Sequence, residues 1–310
     1  MRRHAMVVAL AIAALGSGSA VAAAESVVQS PKAAIADFDG DGVGDLSVVL
    51  PNGNWDVLLS SGDDGGFSWG NGYQPRPGDQ LAPGDYDGDG RTDPAVFRSS
   101  GNEWLIAPSS TRHPYTVEFG KAGDTAVPGQ YDGDGRTDLA VYRASEGTWH
   151  ILRSADPEPV TVIFDTDGGV PAAGDYDGDG RTDLAAFRAA DATWIVLHSS
   201  DGSRTTQRFG TPGEAPVPSD YDGDGATDLA TFRTATGDWT ILRSGDDTVE
   251  RHQLGAEKDL PAPADYDGDG SNDVAVYRPA TGGWLGETIP AGSTFGRSRD
   301  VPVAGAYLPR

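Results

Sequence analysis

One nine-residue acidic motif recurs six times along this chain, and it constrains the fold more than any other feature. It first reads Asp37-Phe-Asp39-Gly-Asp41-Gly-Val43-Gly-Asp45, and next Asp85-Tyr-Asp87-Gly-Asp89-Gly-Arg91-Thr-Asp93. Four more copies open at Gln130, Asp175, Asp220 and Asp265, so successive copies lie 48, 45, 45, 45 and 45 residues apart. A fixed period of this size marks a repeat architecture, in which each unit completes its core only against its neighbours.

The charge of the chain sits in these motifs. Over 310 residues the formal net charge is −24, and 23 of the 24 side chains at the first, third, fifth and ninth motif positions are Asp. Like charges packed this closely repel by roughly 1 kcal/mol or more per pair, so a cation is required. Ca²⁺ fits: it is a hard ion taking about 6–8 oxygen ligands, which alternate carboxylates on a tight loop supply. Mg²⁺ holds its own waters too firmly, and Zn²⁺ prefers His or Cys.

The expected side-chain ligands are Asp37, Asp39, Asp41 and Asp45 in loop one, and Asp85, Asp87, Asp89 and Asp93 in loop two. Loop three offers Gln130, Asp132, Asp134 and Asp138, and loop four Asp175, Asp177, Asp179 and Asp183. Loop five offers Asp220, Asp222, Asp224 and Asp228, and loop six Asp265, Asp267, Asp269 and Asp273. The backbone carbonyl of the seventh residue is expected to add a further oxygen in each: Val43, Arg91, Arg136, Arg181, Ala226 and Ser271. Gly88 and Gly90 and their equivalents permit the positive φ angles that let the carboxylates converge. An EF-hand is ruled out, because the twelfth position holds Val48, Val96, Val141, Ala186, Thr231 and Val276 where a Glu is needed. Tandem nonapeptide calcium helices are ruled out too, since about 36 residues separate the motifs.

Those intervening residues predict short strands. After loop three, Leu139–Arg143, Trp149–Arg153 and Thr161–Phe164 are rich in β-formers and separated by turn signals, and Val170 to Tyr176 leads as a fourth strand into the next loop. Four short strands per unit of about 45 residues predict an all-β fold, a β-propeller of four-stranded blades. Trp55, Trp104, Trp149, Trp194, Trp239 and Trp284 fall 18 or 19 residues after each loop opens, in alternating runs that place them in the core rather than on a sugar-stacking surface. The recurring Arg98, Arg143, Arg188, Arg233 and Arg278 are expected to pair with nearby carboxylates. Trp69, off this register in the Gly-rich stretch 65–78, is the candidate for an exposed aromatic.

The recurring Pro-x-Asp-Tyr-Asp-Gly-Asp-Gly-Arg-Thr-Asp-Leu-Ala-Val-Phe/Tyr-Arg, with Phe-Gly at 119–120, 209–210 and 295–296, resembles the FG-GAP or VCBS repeat family over essentially residues 26–310. The resemblance implies a propeller with Ca²⁺ held in the hairpin between the first two strands of a blade. Two departures stand out. Gln130 replaces the first carboxylate of loop three, which predicts a weaker site, and Val49-Leu50 replaces the aromatic-Arg pair found at Phe97-Arg98 and its equivalents. The chain ends on Asp300-Val-Pro-Val-Ala-Gly-Ala-Tyr307, which repeats Asp259 to Tyr266 but has Ala306 at the first ligand position. It is therefore expected to contribute a closing strand and no seventh site: six blades, with seven as the alternative.

Residues 1–24 read as a secretory signal, with Arg2 and Arg3 ahead of an apolar run to Leu15 and a small-residue stretch ending at Ala24. Export with release from the cell is the resulting expectation. The absence of cysteine rules out disulfides and a lipid-modified cysteine anchor. The acidity argues against nucleic acid as a partner, and no second apolar run is long enough for membrane insertion. A catalytic constellation is not legible: His113, His150, His198 and His252 lie in non-equivalent contexts without a nucleophile motif. The reading is a monomeric calcium-bound scaffold for adhesion or recognition of an extracellular protein or glycan. A lectin with sugar sites between blades is the first alternative, and a secreted hydrolase or lyase the second.

Overall fold

The computed structural model describes residues 36–62, 76, 78–164, 166–304. Residues 1–24, Trp69 with most of its Gly-rich stretch, and Ala306 lie outside the described residues.

The fold is a six-bladed β-propeller with no helix among the described residues. Blade two shows the common plan. Its innermost strand Gln80–Leu81 pairs with Ala95–Arg98, which pairs with Glu103–Ile106, which pairs with Tyr115–Glu118, all antiparallel. Blades three, four and five repeat this four-stranded order. Blade six has three strands, Leu260–Pro261, Ala275–Arg278 and Gly283–Gly286, with an isolated bridge between Gly283 and Thr294 where a fourth would lie. The first blade joins Trp55–Leu58 to Leu46–Val49, and Leu46–Val49 in turn to Val301–Pro302 from the far end of the chain. The closing strand expected from Asp300 onward therefore completes blade one, and the count is six.

The sequence repeat and the blade are offset by one strand. The run from Val170 is not the last strand of the preceding blade: Val170–Pro171 pairs with Leu184–Arg188 and is the innermost strand of blade four. Contiguous repeats thus yield blades that share residues across the loop, and the ring has to be closed by the C-terminal strand.

Burial explains the strand chemistry. The second strand of each blade is packed on both sides, and Ala95–Arg98 and Leu139–Arg143 are buried throughout. The outermost strands carry exposed polar runs such as Arg204–Arg208, which suits a solvent-facing edge. All six repeated Trp are 0–2% exposed, as their register predicted. In five blades the Trp packs against the aromatic paired opposite it: Phe97–Trp104, Tyr142–Trp149, Phe187–Trp194, Phe232–Trp239 and Tyr277–Trp284, at centroid distances of 4.9–5.2 Å. Blade one has Val49 at that position, and there Phe38 meets Trp55 edge-on at 6.2 Å.

Candidate metal centres

In blades two to six the acidic loop joins the innermost strand to the second, and loop one leads into the second strand of blade one, whose innermost strand comes from the far end of the chain. The loops are also joined to one another. The amide of the eighth loop residue donates to the carbonyl of the first residue in the preceding blade's loop: Thr92 to Asp37, Thr137 to Asp85, Thr182 to Gln130, Thr227 to Asp175, and Asn272 to Asp220, at 2.5–2.7 Å. Gly44 donates to Asp265 at 2.5 Å and closes the circle. The contact is tight enough that a Cβ at Gly84 would meet the Thr137 hydroxyl at 2.6 Å.

Within a loop the turn organises the carboxylates before any cation is considered. Asp85 accepts from the amides of Gly88 at 2.7 Å and Asp89 at 3.1 Å through one oxygen, and from Gly90 at 2.9 Å through the other. Gly88 and Gly90 have φ of 79° and 85°, a conformation available to glycine at little cost. Asp93 accepts from Tyr86 N at 2.9 Å and Ser109 N at 2.6 Å. This pattern recurs at Asp37 with Asp45, Asp220 with Asp228, and their equivalents. Carboxylate oxygens of Asp37, Asp39 and Asp41 lie within 4.8 Å of one another, as do those of Asp85, Asp87 and Asp93, of Asp175, Asp177 and Asp179, and of Asp220, Asp222 and Asp228. Side chains of the seventh residues stand over the neighbouring loop, with Arg91 against Gly40, Arg136 against Gly88 and Arg181 against Gly133.

Serines unforeseen from the sequence complete the loops. The residue 15 positions after the ninth ligand in loop one, Ser60, and 16 positions after it in loops two to five, Ser109, Ser154, Ser199 or Ser244, donates its amide to that ligand. Its hydroxyl donates to the fifth, as Ser60 does to Asp41 at 2.6 Å and Ser109 to Asp89 at 2.7 Å. A second serine reaches the third: Ser110 to Asp87 and Ser200 to Asp177, both at 2.5 Å. The signal in the sequence is a serine at a near-constant offset from the ninth ligand, with no charge or aromatic ring to mark it.

Every donor so far is neutral. Asp45, Asp93, Asp138, Asp183 and Asp228 are 0% exposed, and among the described residues no lysine or arginine pairs with any of them. Burial accordingly pushes their carboxyls up, Asp45 and Asp93 to about 7 and Asp138 and Asp228 to about 6, with neighbouring aspartates adding to the shift. Asp37 and Asp85 are raised by burial as well. One oxygen of Asp39 is buried with no hydrogen-bond partner. Buried carboxylates with no lysine or arginine partner are what a hard divalent ion would satisfy, so the donor set fits Ca²⁺. In loop three, Gln130 keeps part of the turn, accepting from Gly133 at 2.9 Å, but brings no charge.

The repeated arginines are ion-paired with acids at the other end of the second strand. Arg143 makes two bonds to Asp124 at 2.9 and 2.8 Å, both side chains being largely buried, and Arg98, Arg233 and Arg278 pair likewise with Asp79, Glu214 and Asp259. Arg188 bonds Asp191 and Asp167 instead.

A model of the FG-GAP-like repeat matches residues 130–186 and 175–231. Among solved structures the chain is similar to a lectin of Agrocybe aegerita described as recognising non-reducing terminal N-acetylglucosamine, with 15% identity, 81% of this chain and 75% of that chain covered, and a TM-score of 0.53. It is similar also to a streptogramin B lyase, with 13% identity, coverage of 76% and 72%, and a TM-score of 0.50. A third likeness, to the Photorhabdus luminescens Tc holotoxin pore, has 15% identity, 79% of this chain and 13% of that chain covered, and a TM-score of 0.51. At such identities the likeness is one of fold. No curated protein matches the chain in sequence.

Proposed function

We propose that this chain, an FG-GAP-repeat β-propeller protein, is exported and works as a calcium-stiffened scaffold that recognises an extracellular protein or glycan as a monomer. One observation carries the reading: in loops one to five the ninth-position carboxylate is fully buried, accepts from neutral amides, and among the described residues pairs with no lysine or arginine. In each loop the first, third, fifth and ninth side chains would hold the ion, aided by the carbonyl of the seventh residue. The chemistry supplied is neutralisation, which turns a self-repelling hairpin into a rigid corner. Because the loops are bonded in a circle, stiffening one constrains the next, and the loop face becomes a preformed surface that loses little entropy on binding.

Calorimetric titration of the chelator-stripped chain with Ca²⁺ tests this. Binding of several ions, with a rise in melting temperature, supports it; a chain that binds no calcium at millimolar concentration and melts at the same temperature with EDTA would refute it. Amino-terminal sequencing of protein recovered from the medium, expected to begin at Glu25, tests export.

Sugar recognition is the second reading, and the fold likeness to a lectin is the observation that favours it over protein adhesion. A glycan array whose signal is abolished by one simple sugar would select it. For a hydrolase or lyase a unique constellation is needed. Of the described histidines, His150 is tied to Arg143, Thr148 and Thr161, and His252 lies beside Glu250, so these two read as surface pairing.

A further inference from the structure

Among blades one to five, only blade four has a histidine beside its loop-capping serine. The position just before the loop-capping serine is Leu59, Pro108, Arg153 or Arg243 in blades one, two, three and five, and His198 in blade four. Arg153 and Arg243 turn outward to Asp156 at 2.7 Å and Glu250 at 2.5 Å. His198 turns inward, and its Nδ1 lies 3.4 Å from a carboxylate oxygen of the fully buried Asp183 and 3.6 Å from one of Asp177.

These distances do not describe an ion pair sealed by a hydrogen bond. N–H···O bonds fall at about 2.7–3.2 Å, and the buried Nδ1 makes none. Nor do they suit a neutral ring left to itself, whose lone pair would face two carboxylates. They match the edge of a coordination polyhedron: ligands about 2.1 Å from one ion, with a tetrahedral angle, are about 3.4 Å apart. The rest of the imidazole is arranged as a ligating histidine needs. Nε2 lies 3.1 Å from Thr205 Oγ1, a partner that can take the ring proton when Nδ1 binds a metal through its lone pair. The backbone is pinned on both sides, with His198 N donating to Ser203 O at 2.9 Å and Gly202 N to His198 O at 3.0 Å. Asp183 is held by Tyr176 N at 2.9 Å and Ser199 N at 2.7 Å, and Asp177 by Ser200.

We propose that loop four is a site for a borderline divalent transition ion, of which Zn²⁺ is the probe, held by His198 Nδ1, Asp177 and Asp183 with a remaining position open to water or an incoming ligand. Mixed imidazole and carboxylate donors favour such ions over Ca²⁺, whose ligands are oxygens. Asp177 and Asp183 would serve either ion, so loop four exchanges its calcium for the transition metal. The assignment goes beyond the calcium reading, and it stands or falls on loop four alone.

The test uses the full mature chain, stripped with chelator and titrated with Zn²⁺ in roughly 1 mM Ca²⁺. One Zn²⁺ per chain is expected, resisting displacement by calcium, with affinity falling about tenfold or more in His198→Ala. Co²⁺ bound to the native chain is expected to give the intense visible absorption of a four-coordinate site, absent in His198→Ala and in His198→Gln. Zinc affinity unchanged by both substitutions would overturn the assignment, as would a weak six-coordinate cobalt spectrum from the native chain. Should the variants fail to fold, the imidazole ¹⁵N shifts of the native protein decide: a zinc-induced shift at Nδ1 supports the site, and its absence refutes it. A calcium titration run without zinc tests the calcium reading of the loops separately from the zinc site.

Discussion

In blades two, three and five the two ends of the second strand handle buried carboxylates in opposite ways. At one end Asp79, Asp124, Glu214 and Asp259 are met by Arg98, Arg143, Arg233 and Arg278 from the same blade, each 19 residues further on. At the other end Asp45, Asp93, Asp138 and Asp228 are at least as deeply buried, yet they receive amides and hydroxyls only. One face is neutralised within the chain, whereas the other has no lysine or arginine partner among the described residues and is where the proposed calcium would bind. The difference teaches that burial of an acid does not itself name its counter-ion; the charge state of its hydrogen-bond partners does.

Removing the external cation should give the largest effect. A site at about 100 times its Kd contributes about 2.7 kcal/mol, so several together are comparable with a typical domain stability of about 5–15 kcal/mol. EDTA is therefore expected to lower the melting temperature by more than 10 °C or to unfold the chain, as read by differential scanning calorimetry. The internally neutralised face should not respond to chelator but to mutation. Arg143→Met leaves Asp124 buried and unpaired, and a loss of about 3–5 kcal/mol in chemical denaturation is expected with calcium present. Equal sensitivity of both faces to EDTA would erase the contrast.

A pH series sharpens it further. Burial pushes Asp45 and Asp93 from 3.8 up to about 7 in the folded metal-free chain. The folded state then binds more protons than the unfolded one between those values, so stability falls as pH rises through this window. Chelated protein is expected to melt at a higher temperature at pH 5 than at pH 7.5, and calcium-loaded protein to show the reverse, since only the ionised carboxyls hold the ion. The smallest effect belongs to Gln130→Asp, which restores the missing charge. Calcium titration should show the third site tightened by about tenfold while the others stay unchanged.

Much of this arrangement was legible in the residues themselves. The spacing of the loops carried the blade plan, and the alternation around Trp149 or Trp239 carried the core. Both signals are local, repeated six times, and need no knowledge of distant contacts. The Arg98-type pairing was foreseen too, because an arginine on a buried strand has few other ways to be satisfied. What escaped reading depends on which blade a residue joins or where a turn delivers it. Val170 reads as the end of one unit until the register with Phe187 places it in the next. Ser109 and Ser110 are ordinary turn residues until the hairpin brings them back to Asp89 and Asp87. His198 is one of five scattered histidines in sequence, and only the fold points its ring into a loop opened 23 residues earlier.

The pairing of Val48 and Val49 with Pro302 and Val301 has a consequence for how the molecule comes into being. A hairpin made early in synthesis waits for its third strand until Val301 and Pro302 have been produced, so the other five blades can assemble while the first keeps an unmatched edge. Joining ends so far apart in sequence carries the largest loop-closure cost in the molecule, and that event should set the slowest step of folding. Until then the nascent ring stays open, and shortening the chain by its last ten residues would leave it open permanently.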